Sequence, residues 1–308
     1  MRVVFLGTPN FAVNSLNAVA QRYDVVAVIT QPDRERDRKG RVIEGAVAKR
    51  AKELNLPLYQ FDKIRRDGVQ TLKSLAPDLM ITCAYGQILS QEIIDIAPMG
   101  IYNVHGSLLP KYRGSAPIQR ALINGEKYTG VTIMKTDIGM DSGDILAVEK
   151  VEIDENDYVD ELYEKLSVVG AKLLIETIEN AIEGKIVPIK QDENEVTYAP
   201  MIKKDDEKID FNNSAKVVRD KIRGVGFGVC LYGETIVKIF KLSEKRLDDD
   251  YKIGAVVYAD KKGIVVACAN NSAIVITELQ QSGKKRMHAV DFLNGVKIST
   301  GDKFNGVD

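Results

Sequence analysis

Short, almost continuously apolar runs alternate with amphipathic segments through the first half of the chain. The runs are rich in β-branched residues and predict strands at residues 2–7, 24–32, 77–85 and 100–109. Helical spacing of apolar residues predicts helices at residues 11–21 and 45–55. Continuous rather than alternating apolarity indicates that the strands are buried on both faces. The pattern therefore predicts an α/β fold with a doubly wound, mainly parallel sheet.

The pattern changes beyond residue 129. Further strands are predicted at residues 129–137 and 143–153, and a long amphipathic helix is predicted at residues 158–184. The segment that follows is polar and contains Pro188 and Pro200, which is typical of a linker. We therefore predict a first domain at residues 1–187, a linker at residues 188–206 and a second domain at residues 207–308.

The second domain begins with one predicted helix and continues with short β-rich segments. The helix is predicted at residues 214–223, and the strands at residues 229–233, 235–242, 254–259, 263–269 and 273–280. Five short strands separated by turn residues indicate a small barrel, for which an OB-like β-barrel is one option. Barrels of this type often hold nucleic acid, but many do not, and the pattern alone leaves both alternatives open.

The amino-acid composition of the chain is that of a globular protein, and its cysteines indicate a reducing compartment. The chain of 308 residues is 44% hydrophobic and 28% charged, as is usual for soluble proteins. Its three cysteines, Cys83, Cys230 and Cys268, are far apart and lack metal-ligand spacing, which fits a reducing environment. The apolar run at residues 3–6 is too short for a signal peptide or a membrane span. We therefore expect a cytoplasmic protein without membrane association.

The net charge of −1 does not favour a nucleic-acid partner. Residues 203–308, however, carry 19 Lys and Arg against 15 Asp and Glu, whereas the whole chain carries 43 against 44. The last third of the chain is therefore net positive, which permits contact with RNA without requiring it.

Asn103 and His105 are the most informative candidates for chemistry. They lie at the end of a predicted strand, the edge at which α/β proteins place their sites, and their side chains point to the same side. Acyl transfer requires a donor for a developing oxyanion and a titratable group, which an amide and an imidazole supply. Because a lone histidine is more often structural, this interpretation depends on the paired asparagine.

A carboxylate could complete this set from another loop. Residues 138–144 are flanked by predicted strands and contain Asp141 and Asp144, either of which could orient His105. A solvated turn is the competing interpretation of this loop. The first βα turn, at residues 7–10, lacks the G-x-G-x-x-G fingerprint, so a nicotinamide-dependent oxidoreductase is poorly supported.

The asparagine and the histidine belong to a longer motif. It reads Asn103-x-His105-x-Ser107-Leu108-Leu109-Pro110-x-Tyr112-Arg113-Gly114-x-Ala116-Pro117-Ile118-Gln119. Together with Met140-Asp141-Ser142-Gly143, it resembles the signature of the folate-dependent formyltransferases. Segments at residues 5–12, 30–34, 198–211 and 283–295 resemble the members that act on charged tRNA; the members that act on glycinamide ribonucleotide are much shorter. The resemblance covers nearly the whole chain and implies a Rossmann-like formyltransferase fold followed by a tRNA-binding domain.

The resemblance implies transfer of a formyl group from 10-formyltetrahydrofolate to the amino group of initiator methionyl-tRNA. Asn103 would donate a hydrogen bond to the developing oxyanion. His105, as imidazolium, would stabilise it and supply a proton to the leaving nitrogen. Asp141 would hold the histidine tautomer and manage the proton of the attacking amine.

Two alternatives remain open. A formyltransferase acting on a small amine, such as a sugar nucleotide, would share the same three residues. A non-enzymatic RNA-binding protein would leave the motif at residues 103–119 without a purpose.

The resemblance also implies binding residues. The tetrahydrofolate site would comprise Tyr85, Gly86, Gln87, Ile88, Leu89, Ser107, Leu108, Leu109, Pro110, Asp137, Ile138, Gly139 and Met140. The tRNA contacts would come from two basic segments, with Arg34, Arg36, Arg38, Lys39 and Arg41 in the first and Lys284, Lys285 and Arg286 in the second. No metal is implied, and we expect a monomer.

Overall fold

The computed structural model of this chain describes residues 1–34, 36 and 40–307 and divides them between two compact units. The first unit comprises Met1–Pro117, Tyr128–Glu152 and Leu162–Pro200. The second unit comprises Ile118–Lys127, Ile153–Glu161 and Met201–Asp308. The predicted domain boundaries at residues 187 and 207 stay predictions.

The first unit is built on a seven-stranded sheet with the order β3-β2-β1-β4-β5-β6-β7. Its strands are β1 Arg2–Gly7, β2 Asp24–Thr30, β3 Leu58–Gln60, β4 Leu79–Cys83, β5 Ile101–His105, β6 Tyr128–Lys135 and β7 Ile145–Glu152. Strands β1 to β5 pair in parallel, whereas β6 pairs antiparallel with both β5 and β7. The predicted doubly wound, mainly parallel sheet is confirmed.

Helices alternate with these strands. They are α1 Val13–Ala20, α2 Ala46–Glu53, α3 Ile64–Asp67, α4 Val69–Leu75, α5 Gln91–Ile94 and, except for its first three residues, α7 Val159–Ile182. The helix that follows β5 in the chain, α6 Pro117–Ile123, belongs to the second unit except for Pro117. The long helix α7 matches the helix predicted at residues 158–184. Its apolar stripe is fully buried at Leu162, Leu166, Leu174 and Ile178. Within the described part of the chain, no helix is both long and apolar enough to cross a membrane.

Burial of the central strands explains their continuous apolarity. Val3 and Phe5 are fully buried, and so are Val4 and Leu6, whose side chains point to the opposite face of β1. Val4 and Leu6 belong to a core cluster that also contains Ile29 of β2. A strand buried on both faces has no solvent side that would favour polar residues, so the alternation typical of half-exposed strands is missing.

The second unit contains a curled antiparallel half-barrel, as expected of a small OB-like domain. Its elements are α8 Ala215–Val225, β8 Gly228–Tyr232, β9 Thr235–Arg246, β10 Val256–Asp260, β11 Gly263–Cys268, β12 Ser272–Gln281, β13 Met287–His288, α9 Ala289–Gly295 and β14 Phe304–Asn305. The strand order is β10-β11-β12-β9-β8-β14, and β13 pairs with β12. The five predicted strands are confirmed. The two-residue strands β13 and β14 were not predicted, because so short a segment has no periodicity.

One buried hydroxyl ties the second unit together. The hydroxyl group of Tyr158 accepts the N–H of Leu242 at 3.1 Å and donates to its carbonyl oxygen at 3.3 Å. Burial raises the pKa of Tyr158, so the side chain remains a neutral phenol at physiological pH. The hydroxyl therefore satisfies both backbone groups of Leu242.

We expect Tyr158→Phe to lower the free energy of unfolding by about 1–3 kcal/mol, because it leaves buried backbone groups without this partner. Denaturant-induced unfolding measures the loss. Tyr251→Phe is the control. Tyr251 is 40% exposed, so water can take the place of its hydroxyl group. Equal stability of the two variants would contradict the structural role of the buried hydroxyl.

Candidate active site

Asn103 and His105 lie on β5, the strand at which the sheet changes from parallel to antiparallel pairing. They are two residues apart on an extended strand, so their side chains share one face. The hydroxyl group of Thr82, on β4, donates to Oδ1 of Asn103 at 3.0 Å. This contact orients the amide, because the oxygen faces Thr82 and the Nδ2 donor faces the other way.

A backbone carbonyl sets the tautomer of His105. Nε2 of the imidazole lies 3.0 Å from the carbonyl oxygen of Tyr112. Because a carbonyl oxygen can only accept, Nε2 must carry a hydrogen. Nδ1 lies 3.7 Å from Oδ2 of Asp141, which is an ion-pair distance rather than a hydrogen bond. The expectation that Asp141 holds the tautomer is therefore corrected: Tyr112 does so, and Asp141 faces the other ring nitrogen.

Asp141 meets both polar side chains of β5. Its Oδ1 accepts from Nδ2 of Asn103 at 3.4 Å, and its Oδ2, which faces His105, also accepts the N–H of Gly114 at 2.8 Å. The three residues predicted to be catalytic are therefore brought together. Asp144, the second candidate carboxylate, instead contributes its backbone carbonyl to the N–H of Lys135 at 2.9 Å.

The loop between β6 and β7, which carries Asp141, is held by contacts among its own residues. The carboxylate of Asp137 accepts the hydroxyl of Ser142 at 2.8 Å and the N–H of Gly139 at 3.1 Å. A Cβ atom at Gly143 would lie 1.7 Å from the carbonyl oxygen of Lys135. Only glycine fits this position, because a side chain there would have to displace the backbone.

The segments predicted to bind folate follow β4, β5 and β6, three neighbouring strands of the sheet. Their most exposed large side chains are apolar: Ile88 is 74%, Ile138 is 67% and Met140 is 63% exposed. Such side chains gain free energy when a flat, weakly polar ring covers them. Their assignment to a folate site stays a prediction.

Other side chains of the same segments point inward. Tyr85, Leu89 and Leu109 are buried, and the hydroxyl group of Ser107 donates to the carbonyl oxygen of Lys111 at 2.7 Å. A ligand would meet these segments mainly through their backbone groups. Gln87 likewise has an internal partner, since its amide donates to the carbonyl oxygen of Phe61 at 2.9 Å; Gly86, Leu108, Pro110, Asp137 and Gly139 complete the predicted set.

The hydroxyl group of Tyr85 stands apart from these satisfied groups. It is buried, and it has no hydrogen-bond partner among the described residues. Burial also raises the pKa of Tyr85, so the hydroxyl keeps its proton and can act as a donor.

Covalent cysteine chemistry is not supported at this site. Cys83 ends β4, next to the segment that contains Tyr85, but burial raises the pKa of its thiol to about 12. At neutral pH it remains a thiol, which is a poor nucleophile. Across the described positions, no group of three or more His, Cys, Asp or Glu side chains could hold a metal ion.

Several of the residues predicted to contact tRNA have partners within the chain. In the first unit, Arg34 pairs with Asp62 at 2.9 Å, and Nη1 of Arg36 donates to the carbonyl oxygen of Gly40 at 2.8 Å. Arg41 is exposed, whereas the predicted contacts Arg38 and Lys39 lie outside the described residues.

In the second unit, Lys284 and Lys285 are exposed. Arg286 is engaged internally, because Nε donates to Glu278 at 2.7 Å and the guanidinium lies 4.5 Å from the ring centre of Phe240. Its assignment to tRNA stays a prediction, and an RNA phosphate would have to compete with these partners.

Three contributions to this site were missed by sequence reasoning. Thr82 was visible only as a polar residue within an apolar strand, and Tyr112 acts through its carbonyl, which any residue type supplies. Gln191 contacts the loop of Asp141 from within the predicted linker, where no sequence signal marked it.

Comparisons with known proteins identify the family to which the chain belongs. A family profile described as "Formyl transferase" matches residues 1–178, and one described as "Formyl transferase, C-terminal domain" matches residues 201–297. An N-formyltransferase from Helicobacter canadensis, solved in complex with folinic acid and dTDP-3-aminofucose, superposes with a TM-score of 0.70 over 89% of this chain and 98% of its own. Its sequence is 21% identical, so this likeness concerns the fold. The chain has the fold and both domains of a formyltransferase.

Two relatives narrow this class. The methionyl-tRNA formyltransferase of Bacillus velezensis is 42% identical to the chain, and the match covers 98% of the chain and 96% of the relative. The methionyl-tRNA formyltransferase of Bacillus subtilis (strain 168) is 41% identical over the same shares. The chain belongs to the methionyl-tRNA formyltransferase family.

We expect Gly143→Ala to displace the loop that carries Asp141, because the added methyl group would collide with the carbonyl oxygen of Lys135. The displacement should shift the ring-proton NMR signals of His105, which faces Asp141. The chain has two histidines, so the signals of His288, in the second unit, serve as an internal control. Unchanged His105 signals in a folded variant would contradict the tight closure of the loop.

Proposed function

We propose that this protein transfers the formyl group of 10-formyltetrahydrofolate to the amino group of initiator methionyl-tRNA. The observation that carries the proposal is the convergence of Asn103 and His105, on strand β5, with Asp141, from the loop between β6 and β7. The full-length similarity to methionyl-tRNA formyltransferases supports the choice of acceptor. We further propose that the protein acts in the cytoplasm, where charged tRNA is found, and as a monomer.

In the proposed reaction, the amine forms a new bond to the formyl carbon while the bond from that carbon to the folate nitrogen breaks. Asn103 donates from Nδ2 to the formyl oxygen as its negative charge develops. His105 gives a proton from Nδ1 to the departing folate nitrogen, since Nε2–H is committed to Tyr112. Asp141 stabilises the imidazolium and takes up the proton released by the amine, either directly or through water.

We propose that the folate substrate is held by the segments that follow β4, β5 and β6. Ile88, Ile138 and Met140 would cover the faces of the pterin, which their exposure supports. The buried hydroxyl group of Tyr85 and the backbone groups of the same segments would supply polar contacts.

We expect Asn103→Ala, His105→Ala and Asp141→Ala each to lower kcat by about a hundred- to a thousandfold, which is the usual cost of losing an oxyanion donor. Formylated product is measured after incubation with 10-formyltetrahydrofolate and initiator methionyl-tRNA. Asp144→Ala is the matched control, because it removes a carboxylate from the same loop at a residue that contributes its backbone carbonyl to Lys135, and it should keep near-normal turnover.

Two results would overturn the proposal. If Asp141→Ala kept near-normal turnover, the catalytic assignment would fail. If the unmodified protein formylated an amino sugar nucleotide but not methionyl-tRNA, the acceptor would be a small amine, and the alternative activity would replace the proposed one.

We expect Arg38→Ala and Arg41→Ala to weaken tRNA binding without changing folate binding. Each lost phosphate contact should flatten the slope of the logarithm of the binding constant against the logarithm of salt concentration by about 0.7–0.9. Arg66→Ala is the control, because it removes the same charge from an exposed side chain that pairs with its neighbour Asp67. An unchanged slope would remove these two arginines from the set of phosphate contacts.

A further inference from the structure

Gln191 links the segment after α7 to the loop that carries Asp141. Its Nε2 donates to the carbonyl oxygens of Asp141 at 2.8 Å and Gly143 at 2.7 Å. Its Oε1 accepts from Nε of Arg113 at 3.0 Å. Because a guanidinium has donors only, this contact determines which end of the amide is the oxygen and directs both N–H groups toward the loop.

Arg113 is itself firmly held. It is 3% exposed, and its Nη1 and Nη2 donate to the carboxylate of Glu193 at 3.3 and 2.8 Å. Its backbone N–H donates to the carbonyl oxygen of Thr197 at 2.9 Å, and its carbonyl oxygen accepts the N–H of Ala199 at 2.7 Å. A buried, bidentate and backbone-paired arginine gives the amide of Gln191 a fixed orientation.

The backbone of Asp141 needs such support. Its φ is 48°, in the left-handed region that a residue with a Cβ atom rarely occupies. Conformations of this kind persist only where surrounding contacts hold them. The carbonyl groups that Gln191 binds, those of Asp141 and Gly143, bracket the short segment whose shape aims the carboxylate at β5.

We propose that Gln191 is a positioning residue for formyl transfer. Oriented by Arg113, its amide holds the loop so that the carboxylate of Asp141 remains in contact with His105. Gln191 acts through Asp141 rather than on the substrates. This inference rests on the proposed function, in which Asp141 is catalytic.

Gln191→Glu tests the proposal with almost no change in shape. The carboxylate keeps a partner in Arg113, but it places an oxygen against the two carbonyl groups that Nε2 binds. We expect kcat to fall by about ten- to a hundredfold, since misplacement by about 1 Å can cost a hundredfold, while the KM values for both substrates stay unchanged. Gln191→Ala removes the same donors without adding a charge and provides the test should the first variant fail to fold.

The control and the double variant separate positioning from general destabilisation. Gln70→Glu makes the same change at an exposed position in the first turn of α4 and should leave kcat unchanged. In an Asp141→Ala background, the substitution at Gln191 should have almost no further effect on kcat, because the group that it positions is gone.

Each outcome of these measurements either supports or overturns the positioning role of Gln191. Normal kcat in a folded Gln191 variant, or a Gln191 effect that multiplies fully with that of Asp141→Ala, would overturn the positioning role while leaving the proposed function intact. If Asp141→Ala alone had near-normal activity, the catalytic assignment and this inference would both fail. The proposal is supported if the Gln191 substitution lowers kcat in the otherwise unchanged protein but causes no further loss in the Asp141→Ala background.

Discussion

The contact of one carboxylate with two polar side chains of a central strand is the interaction on which the site depends. Asn103 and His105 lie within a sheet whose other residues are mostly apolar, and buried polar groups without partners are costly. Asp141 accepts from Asn103 and faces His105, and Gly114 donates to its second oxygen. The hydroxyl group of Thr82 donates to the side-chain oxygen of Asn103. Polar groups that a reaction would use are thereby held in place before any substrate binds.

The antiparallel edge of the sheet makes this contact possible. β6 pairs antiparallel with β5, so the last residue of β6, Lys135, lies opposite Tyr102 near the start of β5. From there the chain turns through residues 136–144 into β7, and this loop brings Asp141 to Asn103 and His105. The absence of a side chain at Gly143 lets the loop close against the carbonyl oxygen of Lys135.

Sequence reasoning predicted the parts of the molecule that depend on local patterns. The apolar runs around Val4 and Ile81 predicted buried strands, and the motif around His105 predicted the position of the site. Both predictions depend only on the identity and spacing of side chains along the chain. The tautomer of His105 was not predictable, since it depends on a main-chain carbonyl at Tyr112. Nor was the contact of Gln191, because it joins positions about fifty residues apart in sequence through a segment with no periodicity.

The orientation of the imidazole determines which nitrogen can exchange a proton. Nε2–H is committed to the carbonyl of Tyr112, so Nδ1, which lies 3.7 Å from Oδ2 of Asp141, is the nitrogen left to act on a substrate. In the proposed reaction, a carboxylate at that distance would offset the charge of an imidazolium without forming a short hydrogen bond that would retain the proton. In the proposed reaction, His105 can therefore be charged when the oxyanion develops and can still release its proton to the leaving nitrogen. A carboxylate in hydrogen-bond contact would favour the charged imidazolium but would hinder the release of its proton.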